Sequence, residues 1–313
     1  MTKTLFVTGA TGFIGSNFVA YALTQGFSVR ALTRNLNLVN VNLPIEWVEG
    51  DLTADRDWKK HLKSVDVIVH AAGEIHDENL MPSVNLDAPL RLVNSAIDSG
   101  VRRWVQLSSV GAYGAVQDGL VDEYWDDCPV GLYEKTKSDF DLLLMKVAKR
   151  SRLETCIVRP SNVYGVGMRN RSIEELLKAI KMKRFAYIGA EGASANYVHV
   201  QDVVQALDLC VRHPKAANQT YIVSAWSTIE EMVSGLAEGA GLATPSLRIP
   251  LPVASSVAKA MQWWPHCPLT PSRVRAMNLR SRYSTRKIEI ELGWNLTVPV
   301  KEGMCEFTQG LLQ

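Results

Sequence analysis

The chain is predicted to be a doubly wound α/β protein, a parallel sheet covered by helices on both faces, with a smaller, mostly helical C-terminal lobe. Three observations predict it. The apolar run Leu5–Thr8 breaks into glycines spaced three apart, Gly9, Gly12 and Gly15, and a helical stretch, Ser16–Gln25, follows. Further apolar runs at Ser28–Thr33, Ile45–Val48, Val65–His70, Trp104–Leu107 and Thr155–Val158 alternate with helical patterns at Ala54–Lys63, Leu86–Ser99 and Glu134–Arg150. Those runs carry no polar alternation, which marks strands buried on both faces. Strand and helix taking turns in this way build a parallel sheet.

The glycine turn has a physical purpose. Gly9 takes backbone angles that a side chain resists, Gly12 lets a pyrophosphate approach the main chain, and Gly15 lets the helix pack closely on the sheet. The unpaired N–H groups at that helix start then face the phosphates. Sheets of this kind bind ligands beyond the carboxyl ends of their strands, so the residues after each strand are read next. After the second strand stand Thr33 and Arg34, where an NAD-preferring site usually places a carboxylate for the ribose 2′-hydroxyl. A guanidinium suits a 2′-phosphate, so Arg34 leans the reading toward NADP(H). After the third strand, Asp51 is placed either to accept from the adenine amino group or to cap the next helix. After the fourth come Ala71, Ala72 and Gly73, whose small side chains leave bare backbone for a dinucleotide. His70 is read as a core histidine at the strand end.

The fifth strand runs into Ser108-Ser109-Val110-Gly111-Ala112-Tyr113-Gly114, and Tyr133-Glu134-Lys135-Thr136-Lys137 opens a long amphipathic stretch. Tyr133 and Lys137, four residues apart, share one helix face. A free phenol ionises near pH ~10, too high for a base at neutral pH. A neighbouring ammonium favours the phenolate and is expected to lower that value. Tyr133 then exchanges a proton with a substrate oxygen that Ser109 also holds.

These residues resemble the extended short-chain dehydrogenase/reductase family, in particular its nucleotide-sugar epimerase/dehydratase branch and the related 3β-hydroxysteroid and dihydroflavonol reductase branches. The motifs are Thr8-Gly9-Ala10-Thr11-Gly12-Phe13-Ile14-Gly15, Asp51-Leu52-Thr53, His70-Ala71-Ala72-Gly73, Val84-Asn85, Ser108-Ser109 with Tyr113-Gly114, Tyr133-x-x-x-Lys137 and Arg159-Pro160-Ser161-Asn162-Val163-Tyr164-Gly165. The resemblance implies a Rossmann-type NAD(P)-binding domain at residues 1–165, with a later return near 196–225, and a substrate-binding lobe at 166–313. It implies that Tyr133 is the acid/base, that Lys137 binds the nicotinamide ribose, and that Ser109 rather than Ser108 orients the reacting oxygen. Gly9, Thr11, Gly12, Phe13, Ile14, Gly15, Arg34, Asp51, Leu52 and Ala71–Gly73 would line the dinucleotide. Pro160 and Val163 would flank the nicotinamide carboxamide, and Asn162 would face the substrate. Related 4,6-dehydratases carry Asp-Glu after the active-site Ser or Thr, whereas Val110-Gly111 stands here and transfers no protons. A dehydratase is therefore not expected.

In the second half, Asn196-Tyr197-Val198-His199-Val200-Gln201-Asp202 resembles the family's second-lobe strand and helix start. Asp202 is read as a helix N-terminal carboxylate, and His199 as either structural or pocket-lining. Ala195 stands where many UDP-sugar epimerases place an arginine for the substrate diphosphate, which removes a charge-assisted contact. Arg275 is a loose candidate for a second phosphate-binding arginine, with Arg169 or Arg171 as substitutes. The apolar stretch from Ile249 to Pro265, with Val257, Met261 and Trp264 at helical spacing, reads as a core-facing or lid helix, or else as an apolar substrate wall or membrane-surface contact. Thr285–Trp294 resembles the family's closing helix, capped by Thr285 or Ser284 and stopped at Gly293.

Bulk properties exclude other classes. Net charge is +2 across 313 residues, too little field to argue for nucleic acid. The five cysteines are scattered without a C-x-x-C pair, which argues against a disulfide framework or metal site and for a reducing compartment. Met1-Thr2-Lys3 leads straight into the first strand and no apolar run nears the ~20 residues of a membrane span, so a cytoplasmic protein is expected. The leading reading is an NADP(H)-leaning oxidoreductase or epimerase acting on a sugar carbon, which the resemblance implies is nucleotide-linked. A reductase or dehydrogenase of an apolar hydroxy or keto compound is the alternative, and a non-catalytic cofactor-sensing protein the second. The resemblance also implies a homodimer through the helices at Leu86–Ser99 and Tyr133–Arg150.

Overall fold

The computed structural model describes residues 2–54, 56–168, 171–260 and 270–312. Seven strands form the central sheet, in the spatial order Gln219–Val223, Glu154–Pro160, Arg103–Leu107, Val67–His70, Thr4–Thr8, Ser28–Thr33, Ile45–Glu49. Every neighbouring pair is parallel. Strand order reverses between Thr4–Thr8 and Val67–His70, and a reversal opens a crevice above the carboxyl ends. The glycine turn lies at that crevice.

Alternation along each strand sends successive side chains to opposite faces. Leu5 and Val7 pack with Phe18, Val203 and Leu207, from the helices Phe13–Thr24 and Val200–Arg212. Phe6 and Ile68 face the other way, against Leu92, Val93, Phe140 and Leu144 of Ala88–Asp98 and Leu132–Ala148. Both layers are apolar, as the unalternating runs require. The second lobe has its own core, in which Leu236 of Ile229–Gly239 meets Met304 and Phe307 of Val300–Leu312. A three-stranded sheet, Ala225–Thr228, Ser194–His199 and Asn162–Tyr164, joins this lobe to the first.

Several expectations need correction. The helix predicted at Ala54–Lys63 shrinks to Lys59–Leu62. Asp51 turns the chain by accepting from the Thr53 amide and hydroxyl, and so it caps no helix. The closing helix runs only Arg286–Leu292, ended as expected by Gly293 in the left-handed region; Thr285 stands at its N-cap position with its hydroxyl turned to Glu289, and the Ser284 hydroxyl accepts from the Arg286 amide at 3.4 Å. The true last helix is Val300–Leu312, which the sequence reading did not anticipate. The readings placed on Arg169, Met261, Trp263, Trp264 and Cys267 lie outside the described residues.

Candidate active site

The site begins at the glycine turn. Gly9 has φ +68°, and a Cβ there would lie 2.5 Å from the Ala71 carbonyl carbon and the Ala72 nitrogen. The turn is thus pressed against the backbone after Val67–His70. A Cβ on Gly15 would collide with the Gly9 carbonyl oxygen, so the helix can start this close to the sheet only with glycine. The helix Phe13–Thr24 has no side-chain cap, and its first-turn amides carry no intrahelical acceptor. They open onto the crevice where anions are stabilised. These residues fit a dinucleotide pyrophosphate. Arg34 is exposed at the end of Ser28–Thr33, and its guanidinium, after the hydrogen bonds from Thr53, helps hold the Asp51 carboxyl below its usual range. His70 is buried and its Nδ1 pairs with the Thr8 hydroxyl at 2.8 Å, the core role expected for it.

The catalytic helix is fixed from below. Asn85, buried, donates to the Thr136 hydroxyl at 3.2 Å and to the Glu74 carbonyl, while its own carbonyl accepts from the Glu74 amide. This clamps the loop after Val67–His70 onto the helix that carries Tyr133 and Lys137. The two adjacent serines part company. Ser108 turns inward and donates to Asp141 at 2.6 Å, whereas Ser109 lines a cavity of about 660 Å³ together with Tyr133 and Asn162. Asp141 is wholly buried and also meets Arg159 at 3.4 Å. Arg159 in turn grips Asp127 through two bonds of 2.6 and 2.8 Å and lies over the Tyr113 ring. The network holds the floor of the site rigid.

The electrostatics reverse one expectation. Burial pushes the Tyr133 phenol up to about 12, and the carboxylates of Glu134 and Asp141 push the same way. Lys137 does not lower it. Burial drives the lysine itself down to about 8, partly offset by Asp141. The physical reason is that both groups lose water together, and burial disfavours the charged form of each. The Tyr133 phenol is therefore held in its protonated form at neutral pH.

The cavity walls come from the second lobe, with Leu176, Phe185, Ile229, Met232, Met277 and Leu279 prominent among them. Ala195 and Asn196 also line it. Pro160 ends its strand, and Val163 packs half-buried on the core beside it. His199 does not reach the cavity: its Nδ1 accepts from the Gln201 amide at the start of Val200–Arg212, and its ring stands on Tyr164. Asp202 is stapled to the Thr297 and Val298 amides. Arg275 is exposed and lines nothing, although Ala276 and Met277 beside it do. Arg171 is exposed as well. Sequence reasoning missed Glu134, Tyr197 and the lobe's apolar walls. Glu134 was in plain view beside Tyr133, but the walls come from segments distant in sequence.

A glycine-cradled crevice beside a serine, a phenol and a lysine defines a dinucleotide-dependent enzyme. The model of the NAD dependent epimerase/dehydratase family matches residues 5–224, and the chain belongs to that family, within the extended short-chain dehydrogenases/reductases. A UDP-glucose 4-epimerase of Vibrio cholerae is 30% identical over 266 residues, covering 81% of this chain and 80% of that protein. A sterol demethylase protein B of Methylococcus capsulatus is 30% identical over 272 residues, covering 82% and 80%. A 3beta-hydroxysteroid-dehydrogenase/decarboxylase of Arabidopsis thaliana is 28% identical over 291 residues, 83% of this chain but 65% of its own length. Among solved structures, MoeE5 in complex with UDP-glucose and NAD superposes with TM-score 0.77 over 99% of this chain and 100% of that one, at 24% identity, a likeness of fold.

Proposed function

We propose that the chain is an NAD(P)-dependent oxidoreductase that reduces a ketone, or oxidises the matching secondary alcohol, on a substrate with an uncharged and largely apolar body of steroid or flavonoid type. The observation that carries this is the cavity: Ser109, Tyr133 and Asn162 form a polar floor under walls that are mostly apolar, with uncharged polar groups at Ser194, Asn196 and Ser281, and no basic side chain lines it among the described residues. A diphosphate buried there would have no cation to offset its lost hydration. The sterol- and steroid-named relatives support the same substrate class.

In this reading the Gly9–Gly15 turn holds the pyrophosphate, Asp51 and Leu52 the adenosine end, and Ala71–Gly73 the backbone side of the crevice. Lys137 holds the nicotinamide ribose, with Pro160 and Val163 beside the carboxamide. Arg34 takes a 2′-phosphate, which favours NADP(H). The bound nicotinamide supplies or accepts the hydride. Ser109 donates a hydrogen bond to the substrate oxygen and Tyr133, protonated at neutral pH, delivers its proton as negative charge develops there. That protonation state is the one a ketone reduction requires. Val110 and Gly111 line the cavity where an elimination would need an acid and a base, so no dehydratase step is assigned. The helices Ala88–Asp98 and Leu132–Ala148, with Leu142 exposed, are assigned to a homodimer contact.

A second reading, reduction or epimerisation at a nucleotide-sugar carbon, is favoured by the Vibrio cholerae relative. Following NADPH and NADH absorbance with a steroid ketone, a dihydroflavonol and UDP-sugars separates the two. Turnover of the apolar ketones is expected, and turnover of UDP-sugars alone gives the second reading. Tyr133→Phe should lower kcat by about 10²–10⁴-fold with cofactor binding kept. Unchanged turnover in that variant would leave a cofactor-binding protein without this chemistry.

A further inference from the structure

Glu134 follows Tyr133 in the first turn of Leu132–Ala148 and faces the cavity. It is the one charged side chain lining it among the described residues. Two glycines shape its place. A Cβ on Gly131 would fall on its carboxylate, and one on Gly111 would come within 2.7 Å of its Cγ. An acidic residue in a first helical turn is ordinarily explained by the helix dipole. The dipole would be served as well by a side chain turned to solvent, and it does not account for the packing of Glu134 on Gly111, which belongs to the loop after Arg103–Leu107. No basic side chain pairs with the carboxylate among the described residues. Its charge is felt next door, where it helps push the Tyr133 phenol upward.

We propose that Glu134 is the specificity filter of this cavity, turning away substrates that carry a phosphate or carboxylate near the reacting carbon and offering a hydrogen-bond acceptor to a neutral hydroxyl or an ammonium there. Like charges brought together where water is scarce repel strongly, and discrimination by repulsion needs only one fixed charge. This deepens the proposed function, since it rests on Ser109 and Tyr133 marking the reacting end of the cavity.

UDP and uridine test it, because they differ in charge while sharing the nucleoside. Calorimetric titration of the NADPH-loaded protein with each probe is compared for the wild type, Glu134→Gln and Glu134→Asp. Glu134→Gln should tighten UDP about tenfold, leave uridine within about twofold, and lose much of its gain at high salt. Glu134→Asp keeps the charge and should follow the wild type, which separates the filter from damage to the helix start. If UDP gains nothing in Glu134→Gln, or if UDP and uridine change together, the filter is overturned. Failure of the oxidoreductase reading shows elsewhere, as hydride transfer unaffected by Tyr133→Phe, with the contrast between UDP and uridine intact.

Discussion

The half built on the parallel sheet and the second lobe are held by different forces. Beneath the crevice, three charged side chains, Lys137, Asp141 and Arg159, lie buried among the helices and strands that carry the candidate site. The lobe instead packs helix on helix through apolar contacts, and the backbones of Ile229–Gly239 and Val300–Leu312 come so close that a Cβ on Gly235 would collide with the Lys301 carbonyl. One half spends stability on fixing charges for chemistry. The other uses close contact to shape a wall.

The sharpest way to break that contrast is to remove one partner of the buried charges. Arg159→Leu strands Asp141 and Asp127, and should cost about 3–5 kcal/mol in denaturant unfolding, because a buried charge without its partner cannot be hydrated. Adding Asp141→Leu should recover part of the loss, and a double variant no better than the single would mean that the network is not electrostatic. Lys137→Met should act in the opposite sense. The folded lysine titrates at about 8 against an ordinary 10.5, so the unfolded chain holds a proton that the folded one has shed between those values. Stability should therefore rise as pH climbs through that window, and at neutral pH the buried ammonium is a cost. The methionine variant should be more stable at pH 7 by about 3–4 kcal/mol, at about 1.4 kcal/mol per unit, should lose the rise with pH, and should lose activity. Smallest is Gly235→Ala in the lobe. Helix propensity alone promises a gain of about 1 kcal/mol, but the new methyl forces two helices apart and a net loss of about 1–2 kcal/mol is expected in thermal unfolding. A gain would show that the helix pair has room to yield.

The legible part of the fold was the part written in local patterns. Unalternating apolar runs and glycine spacing placed the sheet and the crevice turn, and the resemblance named Ser109 over Ser108, whose side chains do turn to opposite sides. The errors have physical causes. Ala54–Lys63 has a helical pattern, yet the Asp51–Thr53 turn delays the helix to Lys59. His199 was left open between two roles because capping and pocket-lining histidines look alike until the helix start is seen. The Tyr133 phenol was expected to fall, since spacing shows that Lys137 is near but not that both are dry.

By itself the sequence determined the alternation of strands and helices in the first half, the glycine turn at the crevice and the spacing that puts Tyr133 and Lys137 on one face, because each depends on neighbours within a few residues. Only the tertiary structure decided which serine meets the cavity, which way the phenol's proton affinity moves, and that the walls around it are apolar with Glu134 standing alone in charge among the described lining residues. Those are properties of water exclusion, and water is excluded by segments more than a hundred residues apart.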